Sequence, residues 1–246
     1  MVFHLNTART QVFKNMINLY QMKKILVAAL ALVAGVVTEG FAQDGGMKVG
    51  FRGGYGMAGW QGETMKSVND MLEFTDGNVK TKMRPGFHGG MYVSIPLGAG
   101  FEFEPGVQYA QKGMVLEGTV PGKAGEYMNA KVTVTNKSDY IEVPLLAKLY
   151  VAGGLNLFAG PQVSLLVNNK LNVSAGALGI SAYNNDFDWD MGQRQIDVGM
   201  AAGLGYQFAN GLNLSGSYDM GLTTVDEGAD YKTYNHGFKG SIGFRF

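Results

Sequence analysis

The sequence predicts an all-β fold: an eight-stranded antiparallel up-and-down transmembrane β-barrel with short periplasmic turns and four long external loops. Three observations predict it. Stretches in which apolar and polar or small residues alternate recur down to the last residue, Phe246, as in Gly237-Phe-Lys-Gly-Ser-Ile-Gly-Phe-Arg-Phe246. Between the boundaries of those stretches the charged residues keep to one parity, and the connections between them alternate between short and long. A soluble sheet buries its apolar face against a second layer. Here no helix-forming segment of comparable size accompanies the strands, so the remaining solution is a sheet closed on itself in lipid.

The first element is not part of that fold. Residues 1–21 show no periodicity and read as a non-native upstream extension, with Met22 as the start. Lys23-Lys24 precede the apolar run Ile25 to Val37, which is short for a transmembrane helix, and Gly40-Phe-Ala42 supplies small residues at a cut. Residues 22–42 are therefore expected to be a signal peptide and 43–246 the outer-membrane β-barrel domain. The chain has no cysteine, which removes both a disulfide framework and the attachment residue of a lipid anchor. Its formal charge is zero, so no basic surface invites nucleic acid.

Eight alternating stretches follow: Met47 to Met57, Arg84 to Leu97, Phe101 to Lys112, Tyr140 to Val151, Leu155 to Val167, Gln195 to Phe208, Leu212 to Gly221 and Tyr234 to Phe246. Each reaches the roughly nine to eleven tilted residues that cross a bilayer. Gly98 to Gly100, Ala152 to Gly154 and Ala209 to Gly211 are tight connections; Ala58 to Met83, Gly113 to Asp139, Asn168 to Arg194 and Leu222 to Lys232 are long. That asymmetry puts the tight turns in the periplasm and the long loops outside.

Phase assigns the faces. In the third stretch Phe101, Phe103, Val107 and Tyr109 oppose Glu102, Glu104, Gln108 and Lys112; in the fourth Ile141, Val143, Leu145 and Leu149 oppose Glu142 and Lys148. The same split sends Lys48, Arg52, His88, Asp197, Asp219, Lys239 and Arg245 inward, with cations and carboxylates in near balance. The rule has a physical cause, because Arg or Lys facing the bilayer midplane costs about 2–4 kcal/mol. Inward glycines Gly50, Gly54, Gly90, Gly199, Gly203 and Gly205 leave room in a narrow cylinder for longer neighbours. Outward aromatics form two girdles, with Tyr55, Phe87, Tyr109, Tyr218 and Phe238 above and Phe101, Phe103, Tyr206, Phe208, Phe244 and Phe246 below. Pro105, Pro144 and Pro161 lack the N–H that a closed ladder needs, and bulges are expected there.

Tyr140-Ile-Glu-Val-Pro-Leu-Leu-Ala-Lys148 resembles a segment of the PorT-like outer-membrane β-barrel family common in Bacteroidetes. Glu104-Pro-Gly-Val-Gln-Tyr-Ala-Gln-Lys-Gly113, Ala159-Gly-Pro161 and Asp197-Val-Gly-Met-Ala-Ala-Gly-Leu-Gly-Tyr206 resemble its other recurrent segments, although Gly54 to Met57 lacks an expected Asn. The resemblance implies outer-membrane location and barrel architecture, and no particular activity.

Candidate chemistry is sparse. His88 shares the inward parity with Glu142, Asp197 and Asp219, a set that general acid–base work could use, but buried charges must be paired and a structural network is the expected role. His236 falls beside the outer girdle with no Ser or Asp near it in sequence and is expected to serve that belt. Asp186, Asp188 and Asp190 have the spacing of hard oxygen ligands for calcium, yet Gly192 falls one place late for a calcium loop and Asp197 points into the lumen. No Gly-Lys-Ser or Gly-Lys-Thr follows the run Gly53-Gly-Tyr-Gly56, so a nucleotide loop is discarded.

The expected protein is non-enzymatic, with no metal or cofactor, a charge-paired plugged lumen and interacting external loops. Its expected partners are outer-membrane lipid, the barrel-assembly machinery reading the C-terminal strand through Phe246, and an external or envelope protein. Three alternatives stand beside it: a small-solute, porin-like pore, an outer-membrane hydrolase or acyltransferase, and a soluble lipocalin-type barrel. A porin channel takes about sixteen strands, double what this length supplies.

Overall fold

A computed structural model describes residues 46–63, 65–67, 70, 78–120, 130–177, 180–188, 193–225 and 232–246. The signal-peptide and upstream-extension readings fall outside them. Among the described residues nine strands are formed: β1 (Lys48–Gly62), β2 (Val79–Gly98), β3 (Phe101–Val120), β4 (Ala130–Ala152), β5 (Leu155–Ala177), β6 (Ile180–Asp188), β7 (Ile196–Gln207), β8 (Leu212–Gly221) and β9 (Thr233–Arg245). The sheet order β4-β3-β2-β1-β9-β8-β7-β5-β6, with a further β4–β5 pairing, closes eight strands into an antiparallel ring and leaves β6 outside it. Closure runs from Gly50↔Arg245 to Gly62↔Thr233. One tight turn shows how the shorter end is made: Gly98, Ala99 and Gly100 all take positive φ (89°, 51° and 80°), a conformation that glycine adopts without a Cβ clash.

The up-and-down barrel is as the sequence predicts, but its external end is not mainly loop. β2 begins five residues before Arg84, β3 runs on to Val120, β4 starts at Ala130, and β5 extends to Ala177 before folding back into β6. The expected external loops 113–139 and 168–194 are thus largely sheet. Bilayer height accounts for only the lower part of these strands. Runs such as Lys131-Val-Thr-Val-Thr135 carry the β-branched alternation of a strand that continues into water.

The prolines also correct an expectation. Pro105↔Leu145, Pro144↔Gln162 and Pro161↔Met200 keep their register with no bulge. At the first two, adjacent bridge pairs are simply skipped: pairing resumes at Gln108↔Glu142 and at Ala147↔Ala159. Register shifts instead bracket Pro85, between Met83 and His88, and follow Pro96.

Parity organises the wall. Phe87, Met91, Leu157, Leu204, Phe238 and Ile242 face out and are 66%, 58%, 50%, 59%, 55% and 56% exposed, as a lipid-facing surface requires. Girdle aromatics meet across strands, with Tyr55 against Phe87 at 5.6 Å and Tyr218 against Phe238 at 4.9 Å between ring centroids. Below, the Phe246 ring lies 5.2 Å from Phe244, and its N–H donates to the Val49 carbonyl at 2.9 Å. Inside, the missing side chains of inward glycines admit aromatic rings: a Cβ on Gly50 would sit 2.4 Å from Tyr92, and one on Gly203 2.6 Å from Phe158.

Candidate functional site

The lumen is built from side chains that successive inward positions bring together. Nearest the periplasmic turns, Arg245 Nη1 reaches Glu102 Oε1 and Oε2 at 2.8 and 3.0 Å, and Ser94 Oγ and Tyr150 Oη at 3.2 Å each. One layer higher, Glu104 is held by Arg52 and, at 2.5 Å, by Lys148 Nζ. The Arg52 guanidinium lies 4.4 Å from the centre of the Tyr92 ring, and Asn213 Nδ2 donates to Tyr92 Oη at 2.8 Å.

At mid-height Glu142 is fully buried. It takes Lys112 at 2.7 Å and Lys239 at 2.5 Å, plus hydrogen bonds donated by Gln108 (2.7 Å) and Gln162 (3.2 Å), while Lys239 also reaches Asp219 at 2.5 Å. A carboxylate so surrounded has its lone pairs used and its charge offset, the condition for burying it. His88 Nε2 lies 2.7 Å from Ser241 Oγ, and among the described residues no hydrogen bond joins it to Glu142, Asp197 or Asp219. Toward the outer mouth, Asp197 accepts from Thr223 Oγ1 at 2.7 Å and Asn235 Nδ2 at 2.9 Å. Cavities of about 20 Å³ and about 30 Å³ remain beside His88 and Lys239. Each has room for about one or two waters.

Of the expected lumen residues, Lys48 is a correction. It is exposed at the first position of β1, at the rim, and no ion pair among the described residues reaches it. Parity pointed it inward, but parity carries no height. Without it the expected lumen set balances: Arg52, Lys112, Lys148, Lys239 and Arg245 against Glu102, Glu104, Glu142, Asp197 and Asp219. The reading from sequence missed the interior aromatics Tyr92, Tyr140 and Phe158, which are 2%, 2% and 6% exposed. The inward glycines opposite Tyr92 and Phe158 were the signal that could have found those two.

Outside the membrane, β2 to β5 continue upward and β6 adds to them, forming an external sheet with two unlike faces. Pairings such as Thr81↔Leu116, Leu116↔Val134, Val134↔Val173 and Ala175↔Tyr183 put Met114, Leu116, Val132, Val134, Leu171, Val173, Tyr183 and Phe187 on one face. The other face is polar and crossed by ion pairs: Glu117 with Lys131 at 2.9 Å and Lys82 at 3.1 Å, and Asp186 with Lys137 at 3.0 Å. The hydrogen bond from Lys131, then that from Lys82, holds the Glu117 carboxyl below its ordinary range; Asn172, then Lys137, do the same for Asp186. Asp186 and Asp188 lie in β6, and Asp190 lies outside the described residues. His236 packs against the Tyr218 ring, 6.2 Å between centroids, in the outer belt.

Several solved structures are similar to this chain at low identity and low TM-score. The neisserial surface protein NspA is 11% identical over 82% of this chain and 97% of its own, with a TM-score of 0.36. Ail, the attachment invasion locus protein of Yersinia pestis, is 11% identical over 81% and 98%, with a TM-score of 0.35. The outer membrane protein OprG of Pseudomonas aeruginosa is 10% identical over 81% and 95%, with a TM-score of 0.31. No curated protein matches the sequence. The family model described as outer membrane protein beta-barrel domain matches residues 41–227. The chain is thus an outer-membrane protein and belongs to the outer membrane protein β-barrel domain family.

Proposed function

We propose that the protein is a non-enzymatic, PorT-like barrel of Bacteroidetes type, with a plugged lumen and an external sheet that engages a protein partner. On this reading residues 22–42 direct export, and the C-terminal strand ending at Phe246 engages the barrel-assembly machinery. The observation that supports it is the Glu142 cluster, which crosses the cylinder at mid-height, with cavities of about 20 and 30 Å³ beside it among the described residues. A solute would have to part the buried Lys112–Glu142–Lys239 set to pass. Purified full-length protein in planar bilayers is expected to give no stable, solute-permeable conductance. Large, long-lived openings would contradict the plugged lumen and favour the pore.

A further inference from the structure

We infer that the free edge of β6 is a docking site for an extended strand of a partner protein whose side chains alternate between apolar and basic. The inference rests on the proposed partner-binding role of the external sheet and names the part of that sheet and the chemistry that would fit it. β6 pairs with β5 from Lys170↔Asp188 to Ala177↔Ile180 and is the last strand in the sheet order; among the described residues none lies on its other side. Alternate backbone N–H and C=O groups of such an edge point away from the sheet and can accept an added strand.

The side chains say which strand would fit. Tyr183 and Phe187 extend the apolar face and are 45% and 46% exposed, whereas the Leu171 and Val173 side chains behind them are half-buried. A strand laid against β6 would continue that face with its own apolar residues. Its alternate positions would then stand beside Asn184, Asp186 and Asp188, all exposed, on the polar face. The cations that offset these carboxylates, Lys137 on β4 and Lys170 on β5, lie behind β6 and not at its edge. Asp186 is already paired with Lys137, whereas Asp188 enters no ion pair among the described residues, so the Asp188 end of the edge presents negative charge and a basic residue complements it. A second copy fits poorly. Two barrels in one membrane share an orientation, so β6 edges that met would be related by a half-turn about the membrane normal, which sets the face carrying Asp186 and Asp188 in one copy beside the face carrying Tyr183 and Phe187 in the other.

The test uses full-length protein in nanodiscs and a synthetic nonapeptide of alternating valine and lysine. One control peptide has the same composition in two blocks, and another carries N-methyl groups on alternate amides. Because the chain has no cysteine, Asn184→Cys supplies the only thiol, and disulfide formation with a singly cysteine-bearing alternating peptide reports adjacency. Saturable binding of the alternating peptide is expected, weakened about tenfold or more by N-methylation because main-chain hydrogen bonds are lost. Asp186→Asn with Asp188→Asn should weaken binding several-fold at low salt and little at high salt. Equal binding of the block peptide, indifference to N-methylation, or N184C cross-linking only to a second copy would each overturn the proposal. These outcomes are separable from the lumen test. A non-conducting barrel that ignores the alternating peptide refutes the docking edge and leaves the plugged barrel standing, whereas a conducting barrel refutes the plug whatever the peptide does.

Discussion

Glu142→Gln is expected to destabilise the barrel by about 3–5 kcal/mol, the cost of removing one partner from a buried ion pair. The side chain is fully buried, and glutamine keeps its shape, so the loss is electrostatic rather than a cavity. Lys112 has no second carboxylate in ion-pair contact among the described residues, while Lys239 retains Asp219. Lys112 is thus the charge left stranded. Urea titration in detergent, read by heat-modifiable migration, measures the effect. Adding Lys112→Met should restore much of the loss, since the stranded charge goes with it; the coupling between the two sites is what a double-mutant cycle isolates. Lys82→Met, which breaks an exposed pair with Glu117, should change stability by no more than about 1 kcal/mol.

Leu204→Arg is expected to cost about 2–4 kcal/mol, through the opposite face of the same wall. Leu204 is 59% exposed on β7, opposite Leu157 on one side and Gly216 on the other. Neither neighbour offers an anion. The guanidinium would have to snorkel or drag water into hydrocarbon. Thr135→Arg tests the same side chain on the same parity but above the membrane, on the polar face of the external sheet. There the change should stay within about 0.5 kcal/mol. Vesicle-reconstituted protein unfolded in urea separates the two, and equal effects at both positions would mean that the wall around Leu204 is not in lipid.

Most of the barrel was legible because lipid imposes a period of two on every spanning strand and forbids outward charge. Phase alone placed Glu104, Glu142, Lys148 and Asp219 in the interior, and their burial at 1%, 0%, 8% and 6% follows from it. Height was not legible, which is why Lys48 was assigned to a network that starts deeper. Where the bilayer ends, the constraint ends too, and β6 went unread: Asn184-Asn185-Asp186 has turn-forming composition, and only its pairing with Val173 and its neighbours makes it a strand. The partners within the lumen were illegible for another reason. That Glu142 meets Lys112 and Lys239, 30 and 97 residues away, depends on register and stagger around the ring, which no single strand encodes.

The central claim, that hydrocarbon surrounds this cylinder on all sides, is tested most directly by spin-label accessibility in lipid vesicles. Single cysteines at Met91, Leu157, Met200 and Ile242 sample β2, β5, β7 and β9 around the wall and are the only thiols in each variant. High collision rates with oxygen and low rates with a water-soluble nickel chelate are predicted at all four. Access of the chelate at any of them, or shielding from both reagents by a second protein layer, would contradict the account.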